Sequence, residues 1–378
     1  MKMDKLLSVI VLGLLFSVGQ LYAEEKPEVT PYGFILVNAG FNMDNPGPFD
    51  IPVIARSNPD TIQTFLITPR QTRFGFKMSG AEAMGAKLNG GIELDFFGLT
   101  GSSGAGGVTQ SAPRLRRAFC KLTWEKTSLL IGQEWIFFAP LSPSSLAHVS
   151  IPEFSGSGNL WNRLPQVSLE QRMAAGEKGE VKLNVGLFRP FGAEVVQKPV
   201  TQSDLPGLGE KKGLPFLQAR LGLSVKSGKD KSFTLGGNVH FGQFEVDDDN
   251  DNTFAAASDL ALQAGNFGLK GEGFVGKGTN MLFSRAARGV GTKGGWGQAT
   301  IKAEKVTLNG GYGAEILDED DVGAGALSKN QTLFVNAIYA AAKHTKIAFE
   351  FGHIITSYKG MEEDENSNSL NLAFQYVF

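Results

Sequence analysis

The chain of 378 residues holds one cysteine, Cys120, and only four histidines. A lone cysteine cannot close an intramolecular disulfide, so no disulfide framework organises the fold. Enzymes built on membrane barrels need a nucleophile or an activated water served by a histidine. His148, His240, His344 and His353 have no serine or paired carboxylates at a suggestive spacing. No enzymatic activity is expected. An excess of one charge is also missing, with 36 Lys and Arg against 38 Asp and Glu. That balance gives no bulk attraction for nucleic acid or for a charged surface. Beyond Ala23 there is no apolar run near the roughly 20 residues that a transmembrane helix needs.

The one long apolar run lies at the start. Lys2 and Lys5 precede Leu6 to Gly19, and Leu21-Tyr22-Ala23 leads into Glu24 and Glu25. This is the layout of a secretory signal peptide over residues 1–23, cut after Ala23. No cysteine follows the run, which argues against a lipoprotein. Residues 24–31 then read as a short periplasmic segment, and 32–378 as the mature domain.

What the mature chain does contain is alternation. At the C-terminus Leu370, Leu372, Phe374, Tyr376 and Phe378 alternate with Asn371, Ala373, Gln375 and Val377. A period of two places one set on each face of a strand. A last strand ending on an aromatic residue is typical of outer-membrane barrels, whose lipid-facing and lumen-facing residues alternate. Similar patterns recur over 86–97, 180–188, 216–226, 232–244 and 306–316. In all, sixteen segments qualify: 32–41, 62–78, 86–97, 114–124, 129–138, 166–173, 180–188, 216–226, 232–244, 253–264, 267–277, 295–302, 306–316, 330–340, 345–358 and 369–378. Their connections alternate long and short. The long ones are 42–61, 98–113, 139–165, 189–215, 245–252, 278–294, 317–329 and 359–368. Such barrels have long external loops and short periplasmic turns. The expectation is an all-β, sixteen-stranded antiparallel transmembrane barrel, wide enough to hold an aqueous channel.

Strand parity assigns charges to the lumen. Arg73, Lys77, Lys87, Arg117, Lys121, Arg172, Lys182, Arg220 and Lys226 point inward on the early strands, against Glu93, Asp95 and Glu170. Later strands place Asp259, Glu272, Glu315 and Glu350 inward, against Lys270 and Lys302. A basic wall opposite an acidic one favours anionic solutes. The alternative is that these groups fill a wet interior and pair with one another. Arg114, Arg116 and Arg117 crowd the external end of one strand and Arg163 ends the loop 139–165. They suit carboxylate or phosphate, or latch loops to the wall. Loop 139–165, with few charges, and loop 189–215 are both able to fold inward. Trp124, Trp135, Trp161 and Trp296 are expected in the interfacial aromatic girdle. The run Asp247, Asp248, Asp249 and Asp251 lacks the glycine turn and closing glutamate of a calcium loop. It reads as an external acidic loop, solvated or bridged to lipopolysaccharide by divalent ions, as do Asp318 to Asp321 and Glu362 to Glu365. No metal site or cofactor is expected.

Four stretches carry a resemblance. Thr68 to Phe76 (TPRQTRFGF), Gly90 to Gly98 (GGIELDFFG), Arg114 to Phe119 (RLRRAF) and Leu130 to Trp135 (LIGQEW) resemble, in order and spacing, successive strands of DcaP-like outer-membrane porins. The resemblance covers roughly residues 30 to 175. It implies a homotrimer of sixteen-stranded porins with basic lumen residues favouring small anions such as dicarboxylates. The residues carried over are Arg73 and Arg116 or Arg117, although parity sends only Arg117 clearly inward. Some members carry an N-terminal coiled coil; here no heptads lie between Ala23 and Tyr32. The expected pore-lining set is Arg73, Lys77, Lys87, Arg116, Arg117, Lys121, Arg172 and Arg220. The function expected is passive diffusion of small hydrophilic solutes across a Gram-negative outer membrane, in contact with its lipid and lipopolysaccharide. The alternative is an adhesion barrel with surface-binding loops and a closed lumen.

Overall fold

A computed structural model describes residues 27–57, 62–98, 111–190, 207–246 and 249–378. The proposed signal peptide lies outside these residues. Sixteen barrel strands follow one another, each antiparallel to its neighbours. They are β1 (Glu28–Asn42), β2 in two pieces (Thr64–Thr68 and Arg73–Ala83), β3 (Ala86–Gly98), β4 (Ala112–Thr123), β5 (Thr127–Trp135), β6 (Arg163–Ala175), β7 (Gly179–Phe188) and β8 (Phe216–Lys226). Then come β9 (Lys231–Val246), β10 (Asp249–Ala264), β11 (Phe267–Lys277), β12 (Gly291–Ala303), β13 (Val306–Leu317), β14 (Leu327–Ala342), β15 (Thr345–Tyr358) and β16 (Glu365–Val377). The barrel closes where β1 pairs with β16, from Phe34 opposite Val377 to Asn42 opposite Ser369. Closure leaves no unpaired edge in lipid.

The burial pattern is inverted relative to a water-soluble domain. On β8, Leu221 is 56% exposed while Gln218 is 0% exposed. Outward-facing Ile131, Val167, Val239, Phe254, Tyr312, Phe349 and Phe374 continue this apolar surface around the barrel. Asn38, Glu93, Asn238, Asp259, Gln298, Asn309 and Glu350 are buried inside. Polar groups sealed from solvent and apolar groups exposed fit a lipid exterior and a polar interior. Among the described residues no helix is long and apolar enough to cross a membrane, so the strands do the crossing.

Short turns occupy one rim. Met84 and Gly85 both take positive φ, 56° and 68°, the conformation that a two-residue hairpin turn demands. Cys120 is exposed on the outer face, opposite Ile131 of β5.

Several boundaries differ from the sequence reading. The first strand begins at Glu28, ahead of Tyr32. The 62–78 segment is broken after Thr68, because Pro69 has no N–H to continue the ladder; the break carries Gln71 into the interior, 1% exposed. The expected long acidic loop 245–252 is largely strand, with Val246 opposite Asp249; Asp247 and Asp248 lie outside the described residues. In β4 the register slips: Glu93 faces Arg117, Leu94 faces Leu115, and Arg116 has no opposite number. This β-bulge turns Arg116 inward beside Arg117, which corrects the parity argument that left only Arg117 in the lumen. The tryptophan girdle also fails for two residues: Trp161 and Trp296 are buried inside the barrel, 2% and 5% exposed.

Candidate functional site: a loop and an arginine cluster in the lumen

The long loop 136–162 folds into the barrel. Its neck closes where Ile136 N–H donates to Asn162 O at 3.1 Å. A loop can be buried only if its backbone groups find partners, and wall side chains supply them. Leu141 N donates to Glu272 Oε1 at 2.6 Å and Ser144 N to Gln298 Oε1 at 2.7 Å. Asn336 and Asn38 donate to the carbonyls of Ser144 and Leu146, at 2.8 and 2.9 Å. Gln71 donates to Ala147 O at 2.6 Å and accepts from Val149 N and Ser150 N at 2.7 and 2.9 Å. Gly158, at φ 98°, passes so near β12 that an added Cβ would sit 2.3 Å from Gly295 O; no other residue fits there. Of the two loops able to fold inward, the structure shows 136–162 doing so, while 191–206 lies outside the described residues.

A second inward segment, 278–290, braces the first. Trp161 N donates to Leu282 O at 3.0 Å, and the Trp161 and Phe283 rings stack at 3.9 Å. Ile136, Phe138, Leu160, Phe188, Phe216 and Leu282 pack into one apolar cluster there, on the β5–β11 side. Burial lowers the pKa of Arg285, on this segment, from its usual value.

The arginines converge beside that cluster. Arg116 Nε lies 2.8 Å from Glu93 Oε1 and its Nη1 lies 2.8 Å from Asp95 Oδ2. Arg114 grips Asp95 with two bonds, 3.0 and 2.6 Å. Arg117 grips Glu134 in the same way, with Nη2 at 2.5 Å. Arg73 reaches Glu93 at 3.6 Å and donates to Val149 O of the loop at 3.2 Å. Tyr32 donates to Glu93 at 3.0 Å. Arg163 is held by rings instead of carboxylates, 4.6 Å from the centre of Trp135 and 5.2 Å from that of Trp161. Its Nη1 makes no hydrogen bond. Among the described residues, Arg73, Arg114, Arg116, Arg117 and Arg163 therefore meet only Glu93, Asp95 and Glu134, leaving two positive charges in excess.

The opposite wall carries its carboxylates differently. Asp259 is clasped by Arg220 with bonds of 3.0 and 2.7 Å and by Asn238 at 3.0 Å. Glu272 accepts from Leu141 N and from Trp296 Nε1 at 3.0 Å. Glu315 accepts from Ser284 Oγ and from Arg285 N. Glu272 and Glu315 thereby dock the two inward segments, while Asp259 is held by the wall itself.

Of the expected pore-lining residues, Arg73, Arg116 and Arg117 come together. Arg220 is locked to Asp259, and Arg172 lies 3.4 Å from Glu170, away from the cluster. Lys77 sits over the Tyr32 ring at 4.9 Å, just below Arg73. Lys87 and Lys121 lie toward the short-turn rim, opposite Thr123 and Asn89. Arg114, Arg163, Tyr32 and Trp135 join the cluster without having been in the expected set; arginines flanking a long loop were the one sequence signal for the first two. The histidine argument also needs correction. Loop 136–162 brings His148 and Glu153 to Glu350 of β15, a histidine with paired carboxylates that no spacing revealed. Burial holds the His148 imidazole at a pKa of about 4 and raises that of Glu153, beside Glu350, well above the usual range.

No family model and no curated protein matches the sequence. Solved structures do. The outer membrane channel DcaP of Acinetobacter baumannii is 20% identical at a TM-score of 0.72, covering 96% of this chain and 100% of that one. The fold is that of the DcaP-like outer-membrane porins. An anion-selective porin from Comamonas acidovorans is similar at 12% identity and TM-score 0.59, over 93% of this chain and 100% of that chain. A trimer form of the outer membrane protein OmpT of Vibrio cholerae is similar at 13% identity and TM-score 0.54, over 94% and 100%. A closed barrel of this fold with an apolar outer belt is a multi-pass outer-membrane protein.

Proposed function

We propose that this porin lets small hydrophilic solutes diffuse passively through the outer membrane, and that its lumen favours small anions such as dicarboxylates. The observation that carries this reading is the excess of two positive charges among Arg73, Arg114, Arg116, Arg117 and Arg163, beside the inward loop. Guanidinium groups bind carboxylates through paired hydrogen bonds, and a low-dielectric channel strengthens their field. The acids of the opposite wall are already engaged with Arg220 or with loop N–H groups, so they oppose that field less than their number implies.

In the same reading the chain is exported by a signal peptide over residues 1–23 and assembles as a homotrimer. Asp318 to Asp321 and Glu362 to Glu365 meet lipopolysaccharide through divalent ions. No catalytic role is proposed. The porin of Comamonas acidovorans, whose name states anion selectivity, shares the barrel, which supports this reading at the level of fold.

Planar-bilayer recording under a potassium chloride gradient tests the proposal. A reversal potential on the anion side, with closures in three equal steps, is the expected result. A cation-selective reversal potential overturns the anion preference. The apolar cluster inside the barrel favours one other reading, an adhesion barrel with a closed lumen. Absence of conductance together with loop-dependent surface binding would select it.

A further inference from the structure

Three side chains far apart in sequence meet where the inward loop reaches β15, next to the Val149 and Ser150 carbonyls that Arg73 and Arg114 hold. His148 and Glu153 come from loop 136–162 and Glu350 from β15; their ligand atoms all lie within 4.8 Å of one another. His148 Nε2 is 3.3 Å from Glu153 Oε2. Glu153 is the only acidic or basic residue besides His148 between positions 136 and 162. It is 4% exposed, and its Oε2 makes no hydrogen bond. Glu350, 5% exposed, accepts from Asn336 Nδ2 at 2.8 Å. The surrounding pocket is lined by Asn42, Asp50, Thr332 and Asn371 among others, and the described residues of its lining include no lysine or arginine. Asp50 is itself paired with Arg70.

Two adjacent carboxylates buried without a cation cost several kcal/mol if both are charged. A divalent ion at their meeting point removes that cost and occupies the orphaned Glu153 oxygen. One imidazole nitrogen and two carboxylate oxygens suit zinc or a similar transition ion, with a water completing the coordination. Calcium and magnesium prefer shells built from oxygen alone. We infer that His148, Glu153 and Glu350 bind a divalent transition-metal ion of the zinc type, which clasps the inward loop to the barrel wall.

The test uses the full folded barrel in detergent, stripped with a chelator and titrated with zinc against a competing chromogenic chelator. Cobalt absorption serves as a second readout of the ligand set. One zinc per chain is expected in the parent protein. His148→Asn and Glu350→Gln are each expected to weaken zinc binding at least tenfold and to remove the cobalt bands, while heat-modifiable migration on gels confirms a folded barrel. No zinc uptake by the parent, or uptake equal in the parent and both folded variants, overturns the assignment. Because the readout is metal binding, either result leaves the conductance reading standing on its own experiment.

Discussion

Arg116 Nη1 lies 2.8 Å from Asp95 Oδ2 with both side chains sealed from solvent. Burying two charges is worthwhile only while each keeps its partner, because an orphaned buried charge costs more than the pair gains. Arg116→Leu leaves Glu93 with the Tyr32 hydroxyl and the more distant Arg73 and Arg117. It leaves Asp95 with Arg114 as its one charged partner among the described residues, beside Ser150 Oγ and Phe97 N. The expected loss is about 3 kcal/mol of barrel stability, read as a lower urea midpoint in detergent. Anion preference should fall as well, since the excess in the cluster drops by one charge. A variant as stable as the parent would show that water, not Arg116, satisfies the two acids.

Arg163 gives the contrasting case. Among the described residues it has no carboxylate partner, only the faces of Trp135 and Trp161. Cation–π contacts contribute about 1 kcal/mol, so Arg163→Gln should change stability little. Its charge is nevertheless unopposed, and the reversal potential should move toward zero by at least as much as for Arg116→Leu. Selectivity unchanged in this variant would remove Arg163 from the solute path.

The two arginines also show what a sequence can reveal. Parity works where a strand is regular: Leu221 faces lipid and Arg220 the lumen, as alternation requires. It fails at Arg116, because a bulge adds one residue without any marker in the local pattern. The loop-length alternation was legible because the two membrane faces impose different lengths on connections. What lay beyond the pattern was tertiary. Trp161 turns inward only because its loop does, and His148 meets Glu350 only when that loop reaches β15. The 62–78 pattern ran straight through Pro69, and nothing in it showed that a break there would deliver Gln71 to the loop.

Outside the membrane, a short helix (Leu208–Lys212) is held by one carboxylate. Glu210 accepts from Gly207 N at 3.0 Å and from Arg189 Nε at 2.6 Å, and these bonds hold its pKa below the usual 4.5. A depressed carboxylate stabilises the folded segment above the unfolded value and loses that contribution as pH falls through the folded one. Amides of 207–213 should therefore keep their protection, corrected for intrinsic exchange, at about pH 6 and lose it progressively as the pH falls below the usual carboxylate range and through the lowered folded value. Glu210→Gln should abolish that pH dependence. Equal loss with acid in the variant would assign the effect to another group.

Gln71 holds the inward loop by three hydrogen bonds, to Ala147 O, Val149 N and Ser150 N. Among the described residues it is the only wall side chain that meets the 147–150 stretch with both a donor and an acceptor, and Asn38 links it to Asn371, the β16 partner of Glu350. Gln71→Ala deletes both functions and leaves two loop N–H groups to find water. Unpaired backbone groups cost about 1–3 kcal/mol each where burial persists, and roughly 1.4 kcal/mol shifts an equilibrium tenfold. The loop should then undock at least tenfold more often while the strands, whose ladders are untouched, stay intact. Open-channel current noise is expected to rise, and liposome swelling should admit larger sugars than the parent does. Parental noise and parental size cut-off in a folded Gln71→Ala barrel would mean that Asn38, Asn336 and Glu272 hold the loop without it.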